Sequence, residues 1–187
     1  MFPLIPMDGR SLWCECDEFK ALDPPGVDWT KHYDEGFVVG VTDRYVNYAN
    51  EIAARVSEAH PHKRILIQAY SYTIRPPKHE KVHENVVVRY ANLSRPGQGP
   101  LGKSILDESV PMWDTWRNQL AGWRGAGARM SHYNYMDWEN TDVSLFWFFT
   151  LSDVTRVLHR NYNFRQLFGE TEPNQRISFM MFQVLAE

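Results

Sequence analysis

Apolar positions along the chain fall into compact unbroken runs and into runs with helical spacing. Phe2 to Met7 is a short apolar stretch closed by Asp8-Gly9, a strand followed by a turn. A polar loop from Arg10 to about Val41 follows, carrying Cys14, Cys16 and Pro24-Pro25. Thr42 is placed to cap a helix. After it Tyr45, Val46, Ala49, Ile52, Ala53 and Val56 recur at the 3.6-residue period until His60-Pro61 stops the pattern. Ile65 to Tyr70 is of strand length, and Val86-Val87-Val88 opens another strand. Asp107 is read as the cap of a second helix, with Val110, Trp113, Trp116, Leu120 and Trp123 on one face and Gly125 to Gly127 at its end. Met130 to Tyr135 predicts a strand. Asp142 or Ser144 opens an aromatic-rich helix to about His159, Phe164 to Phe168 is a last strand, and a fainter helical pattern covers Ile177 to Leu185.

Continuous rather than alternating apolar runs suit parallel strands covered on both faces, and strands interleaved with helices imply βα units. In such a sheet, ligands gather at the C-terminal strand ends. Those ends carry Asp8, Trp13, Glu15, Asp17 and Glu18; Gln68, Tyr70 and Tyr72; Arg89, Tyr90 and Asn92; His132, Tyr133, Asn134, Tyr135, Asp137, Trp138 and Glu139; and Glu170 with Glu172. Rings for stacking, amides and carboxylates for hydroxyls, and paired acids are the equipment of a carbohydrate site. Packing competes with that reading. Trp113, Trp116 and Trp123, at helical spacing, are expected in the core. Within each of the pairs Tyr70/Tyr72 and Tyr133/Tyr135, one ring is expected inside the barrel and one under the helices.

Composition narrows the class. The chain has 187 residues, 23% charged and 43% hydrophobic, with a formal net charge of −3. That is enough for one domain with a core, but short of the roughly 250 residues of a complete (β/α)8 barrel. No excess of Lys and Arg points to nucleic acid. The longest apolar stretch, near Leu145 to Leu151, is far below the roughly 18 residues of a membrane span, and the first residues lack the pattern of a signal peptide. The surplus is aromatic: 7 Trp, 9 Tyr and 10 Phe, or 14% of the chain. Cys14-Glu15-Cys16 supplies only two thiols, half of a tetrahedral site, and the seven His show no ligand spacing, so neither metal nor cofactor is expected. No phosphate-binding glycine loop and no G-x-S-x-G element occurs.

Met7-Asp8-Gly9 with Trp13-Cys14-Glu15-Cys16-Asp17 resembles the D-G-x-x-x-x-C-x-C-x-x-C segment of a bacterial family known as domain of unknown function 4838. Asp43-Arg44-Tyr45, Asn47, Asn50-Glu51-Ile52-Ala53 and His60-Pro61 resemble its next helix. Ala69-Tyr70-Ser71-Tyr72 with Pro76-Pro77, then Asn85-Val86-Val87-Val88, resemble its next two strands. Tyr133-Asn134-Tyr135 and Phe168-Gly169-Glu170 resemble later ones. The likeness runs to about Glu172, leaving 173–187 as an atypical tail. It departs at Phe19, which stands where the pattern has its third cysteine; a metal or disulfide held by that trio in relatives would be lost here.

The resemblance implies a glycoside-hydrolase-like barrel from secreted, periplasmic or surface proteins of polysaccharide-degrading bacteria. The expected fold class is therefore α/β: a partial (β/α)8 barrel of about four to five parallel strands with flanking helices, residues 1–187 forming one incomplete domain. Glu170 is expected as a protonated acid, with Asp8 or Glu15 as its ionised partner. Trp13, Tyr70, Tyr72, Asn92, Tyr133, Tyr135 and Trp138 are expected to line sugar subsites. Competing expectations are a non-catalytic carbohydrate-binding barrel and an inactive fragment of a larger enzyme. The fragment would pair its open edges with a missing N-terminal barrel half or with itself.

Overall fold

Ile65–Ala69 and Val86–Ala91, five and six residues long, open with the apolar triplets Ile65-Leu66-Ile67 and Val86-Val87-Val88, rich in β-branched side chains that pack well on a pleated, covered surface. In the computed structural model they form β2 and β3, paired in parallel with Ile65 beside Val86 and Ala69 beside Tyr90. β1 (Phe2–Pro3) lies beside β2, β4 (Arg129–Tyr135) beside β3, and β5 (Phe164–Glu170) beside β4, every pair parallel. The structure describes residues 1–5, 13–25, 40–91, 106–135, 156–157, 160 and 164–170; for Met112, Asn134, Tyr135 and 164–170 it describes the backbone.

The strand order β1-β2-β3-β4-β5 follows the chain. A doubly wound sheet reverses its order at a switch point; steady advance in one direction is the order of a (β/α) barrel. Among the described strands β1 and β5 are edges, so the sheet is an open arc. The fold is α/β, a partial barrel with helices on one face, as the sequence predicts.

Three helices are described in full. α1 (Asp17–Lys20) is a single turn in the cysteine loop, α2 (Thr42–Ala59) joins β1 to β2, and α3 (Asp114–Gly125) joins β3 to β4. One core forms between the helices and the sheet. Tyr45, Val46, Ala49 and Ala53 of α2 meet Ile65, Ile67, Ala69, Val86 and Val88, and Trp113, Trp116, Leu120 and Trp123 close its other end. Each buried Trp removes about 150–250 Å² from water, an upper limit of about 4–6 kcal/mol of transfer energy apiece. The three tryptophans are thus core, as their spacing predicts.

Between β2 and β3 there is no α-helix. Two strands in succession are the sequence expectation, and the crossover is a 3-10 turn (Ser71–Thr73) followed by an irregular segment to Asn85. Both helices hold it. Asn50 on α2 accepts the His83 N–H at 2.9 Å and donates to the Lys81 carbonyl at 2.7 Å. Asn47, one turn earlier, donates to Glu80 at 3.2 Å. From α3, Trp123 Nε1 donates to the Ile74 carbonyl at 3.0 Å in a buried bond. Gly122 lets α3 approach: a Cβ there would lie 2.3 Å from Cγ of Pro76.

Several boundaries differ from the sequence reading. Asp107 does not cap α3. Its carboxylate accepts the Ser109 N–H at 2.9 Å in a local turn, and the helix begins seven residues later, after a 3-10 turn at Pro111–Trp113. The reason is Val110, which precedes a proline and is held extended at φ −108°, ψ 91°. Thr42 is the first residue of α2 rather than its cap; Val41 holds the cap position, and the buried Thr42 hydroxyl has no partner among the described residues. β1 stops at Pro3. α3 ends as expected, with Gly127 at φ +86° and the Ala128 N–H reaching back to Trp123 O at 3.1 Å, a Schellman closure that a left-handed residue makes possible. Of the expected helix to His159, Arg156 and Val157 are described and helical, Val157 within the core. The expected helix at 177–185 lies outside the described residues. No helix among them is long and apolar enough to cross a membrane.

Candidate functional site at the C-terminal edge of the sheet

Side chains alternate between the faces of a strand. Ile65, Ile67, Ala69, Val86, Val88, Tyr90 and Met130 are turned to the helices, in the core. The intervening positions belong to the opposite face, the inside of a barrel. Register sorts them into rows. The lowest is Pro3–Leu66–Val87–Arg129. Above it comes Gln68–Arg89–Ser131, then Ala91–Tyr133–Phe168, and at the edge Tyr135–Glu170. The two middle strands, β2 and β3, thus pass from the apolar Leu66 and Val87 to the polar Gln68 and Arg89 as they approach their C-terminal ends. The Arg89 guanidinium lies 5.8 Å from the centroid of the Tyr133 ring, a cation–π contact. Burial pulls the Arg89 pKa down, opposed by Tyr133, and a guanidinium keeps its charge regardless. Ser131 is fully buried, and its hydroxyl has no partner among the described residues.

At the end of β2 the chain turns through Tyr70-Ser71-Tyr72. Ser71 has φ +53°, a left-handed conformation unusual for a residue with a Cβ. Thr73 holds the turn: its buried hydroxyl donates to Gln68 O at 2.8 Å and accepts the Tyr70 N–H at 3.3 Å. Tyr70 and Tyr72 are both half-buried there.

The loops around this edge are fixed by the first turn of α2. The Asp43 carboxylate is buried and accepts three backbone N–H groups, from Lys78 at 2.9 Å, His79 at 2.7 Å and Glu80 at 2.9 Å. Arg44 is equally buried. It grips both carboxylate oxygens of Asp23, through Nε at 2.7 Å and through Nη2, and donates from Nη1 to the Cys14 carbonyl at 2.6 Å. Tyr45 donates to the Leu4 carbonyl and accepts the Gln68 N–H at 3.3 Å, tying β1 to β2; burial pushes its pKa up strongly. Asp43-Arg44-Tyr45 therefore organises the crossover, the cysteine loop and the first strand pair. The sequence marks Tyr45 as a helical apolar position, and Asp43 and Arg44 only as part of a family resemblance. The usable signal was an adjacent acid and base at a helix start flanked by two long loops.

The expected site residues are distributed unevenly. Tyr133 lies on the inner face with Arg89, and Tyr70 and Tyr72 stand at the end of β2. Tyr135 and Glu170 are register partners at the end of β4 and β5. Trp13 is half-buried and packs edge-on to Tyr45, with centroids 6.2 Å apart. Glu15 is exposed and pairs with Lys20 at 3.8 Å. Asp8, Asn92 and Trp138 lie outside the described residues. Two members of the rim read from the sequence are not at the rim. Tyr90 is fully buried under α3, its hydroxyl donating to Gln119 at 2.6 Å, and His132 packs edge-on to Trp116 with centroids 6.1 Å apart. Full burial lowers the His132 pKa to about 4, leaving it neutral at pH 7. Tyr133 and Tyr135 sit two apart in one strand, at positions of one parity, and the ring of Tyr135 lies outside what the structure describes.

Among the described residues no group of three or more metal-ligating side chains occurs. Residues 5–178 match the family described as Domain of unknown function (DUF4838). No curated protein and no solved structure matches the chain.

Proposed function

The chain belongs to the domain of unknown function 4838 family, and from that membership we propose that it is a carbohydrate-active protein that hydrolyses glycosidic bonds at the C-terminal edge of its sheet. The observation that carries this reading is the change of character on the inner face. On β2 and β3 it passes from the apolar Leu66 and Val87 to Gln68 and Arg89; Tyr133 follows on β4, and the register pair Tyr135–Glu170 stands at the edge. Amide and guanidinium donors beneath aromatic rings suit a pyranose, which offers hydroxyls around its edge and C–H groups on its faces. Glu170 is proposed as the general acid, with Asp8 or Glu15 as the ionised partner, either nucleophile or base. Tyr70, Tyr72 and Tyr133 are proposed to line sugar subsites with Trp13, Asn92, Tyr135 and Trp138. Residues 1–187 are proposed to act as one domain.

The test is hydrolysis across a panel of plant, algal and bacterial glycans by the wild type, Glu170→Gln and Asp8→Asn. Loss of roughly 10²-fold or more in kcat for Glu170→Gln is the expected result. Saturable binding with no cleavage would identify a carbohydrate-binding barrel instead. Cleavage with unchanged turnover in both variants would remove the acid assignments.

A further inference from the structure

Cys14 and Cys16 are not used by the proposed glycan chemistry, yet they are held with care. Their sulfurs are hydrogen-bonded at 2.9 Å, and the Cys16 backbone N–H also points to Cys14 Sγ, at 3.5 Å. Cys14 is exposed and Cys16 half-buried. The loop that carries them does not rest on surface contacts alone. The Cys14 carbonyl is taken by Arg44, whose guanidinium is locked by Asp23 inside the protein, and Trp13 packs on the core. Cys16 O accepts the Lys20 N–H at 3.0 Å, so the next turn, α1, fixes the other side.

We infer that Cys14 and Cys16 form a thiol–disulfide exchange site, with exposed Cys14 as the attacking sulfur and Cys16 as the resolving one. The oxidant is a disulfide, of a small molecule or of another protein. The Cys14 thiolate attacks one sulfur of that disulfide; a Cys14 mixed disulfide forms and one thiolate leaves. Cys16 then gives its proton to solvent and attacks Cys14 Sγ, which closes the Cys14–Cys16 bond and expels the second thiolate. Two protein thiols are oxidised, one disulfide is reduced to two thiols, and the two protons from Cys14 and Cys16 are balanced by protonation of the two leaving groups. The roles follow from access and contact. An incoming disulfide reaches Cys14 first, and Cys16 is already in contact with the sulfur it must attack. Polarity agrees with them. Hydrogen bonds from Cys16, aided by the Arg44 charge, hold the Cys14 pKa below its ordinary value, while Cys16 is raised chiefly by its contact with Cys14.

The probe is oxidised glutathione, added to the reduced full chain at neutral pH, with products read by intact mass and peptide mapping. The wild type is expected to lose two hydrogens, lose both free thiols and retain no glutathione. Cys16→Ser is expected to trap a stable glutathione adduct on Cys14. In iodoacetamide competition on the reduced wild type, Cys14 is expected to alkylate several-fold faster than Cys16. Stable glutathione on both cysteines of the wild type, or equal alkylation rates, would overturn the proposal. Circular dichroism on Cys16→Ser confirms that the comparison is between folded proteins.

Discussion

Asp43 and Arg44 are neighbours in sequence that face different loops, Asp43 holding the backbone at 78–80 and Arg44 holding Asp23 and the Cys14 carbonyl. Removing Arg44 leaves the Asp23 carboxylate, 3% exposed, without its bidentate partner. Breaking a buried pair this way costs about 3–5 kcal/mol, whereas removing both charges costs much less. Arg44→Met is therefore expected to lower the urea midpoint strongly, and Arg44→Met with Asp23→Leu to recover part of the loss; equal midpoints for single and double variants would contradict the pairing. Asp43→Ala strands three backbone donors and is expected to cost about 2–4 kcal/mol by the same measurement. His132 gives a pH prediction. Its folded pKa is about 4 against an ordinary 6.5, so between those values the unfolded chain binds the extra proton. Stability is then undiminished by this group above pH 6.5 and falls as pH drops toward 4. The full loss is about 3 kcal/mol, at 1.36 kcal/mol per pH unit. Denaturation midpoints between pH 7 and pH 4 should show a shallower decline in His132→Leu than in the wild type.

Elements were legible wherever one force set them alone. The 3.6-residue period of α2 and the apolar triplets that open β2 and β3 come from burial, and both are legible in the chain in the right order. The start of α3 was misplaced because a cap residue and a proline competed: Asp107 looks like a cap, but Pro111 bars its predecessor from the helical region, and the proline constraint wins. The packing of α3 on the crossover was invisible, since nothing in a local window says that Gly122 will meet Pro76. It yields a clear sign. Ala is a better helix former than Gly by about 1 kcal/mol, so on an open helix Gly122→Ala would stabilise. With the new Cβ 2.3 Å from a proline ring, overpacking of about 1–3 kcal/mol opposes that gain. The net expectation is destabilisation in thermal unfolding, while Gly125→Ala, with nothing within 4 Å, is expected to raise the melting temperature or leave it unchanged.

For the whole molecule, parallel strands that advance in chain order are the order of a barrel, which keeps its ligand at the C-terminal strand ends. The sequence reading groups Tyr90 and His132 with the rim as residues of strand ends, whereas β3 runs on to Ala91 and β4 to Tyr135. Counting parity from the buried Val86, Val88 and Met130 would have turned both inward to the helices and brought Arg89 and Tyr133 to the front. What no counting reaches is which side chains meet across strands, since that depends on register. The central claim is that a carbohydrate binds on the face carrying Arg89 and Tyr133. It is tested most directly by calorimetric titration of glycans from the hydrolysis panel into the wild type, Tyr133→Ala and Tyr48→Ala. Tyr48 is the control, a ring 51% exposed on the outside of α2. The account predicts saturable binding that weakens by roughly tenfold in Tyr133→Ala and is unchanged in Tyr48→Ala. Binding unaffected by Tyr133→Ala, or no binding to any glycan class, would contradict it.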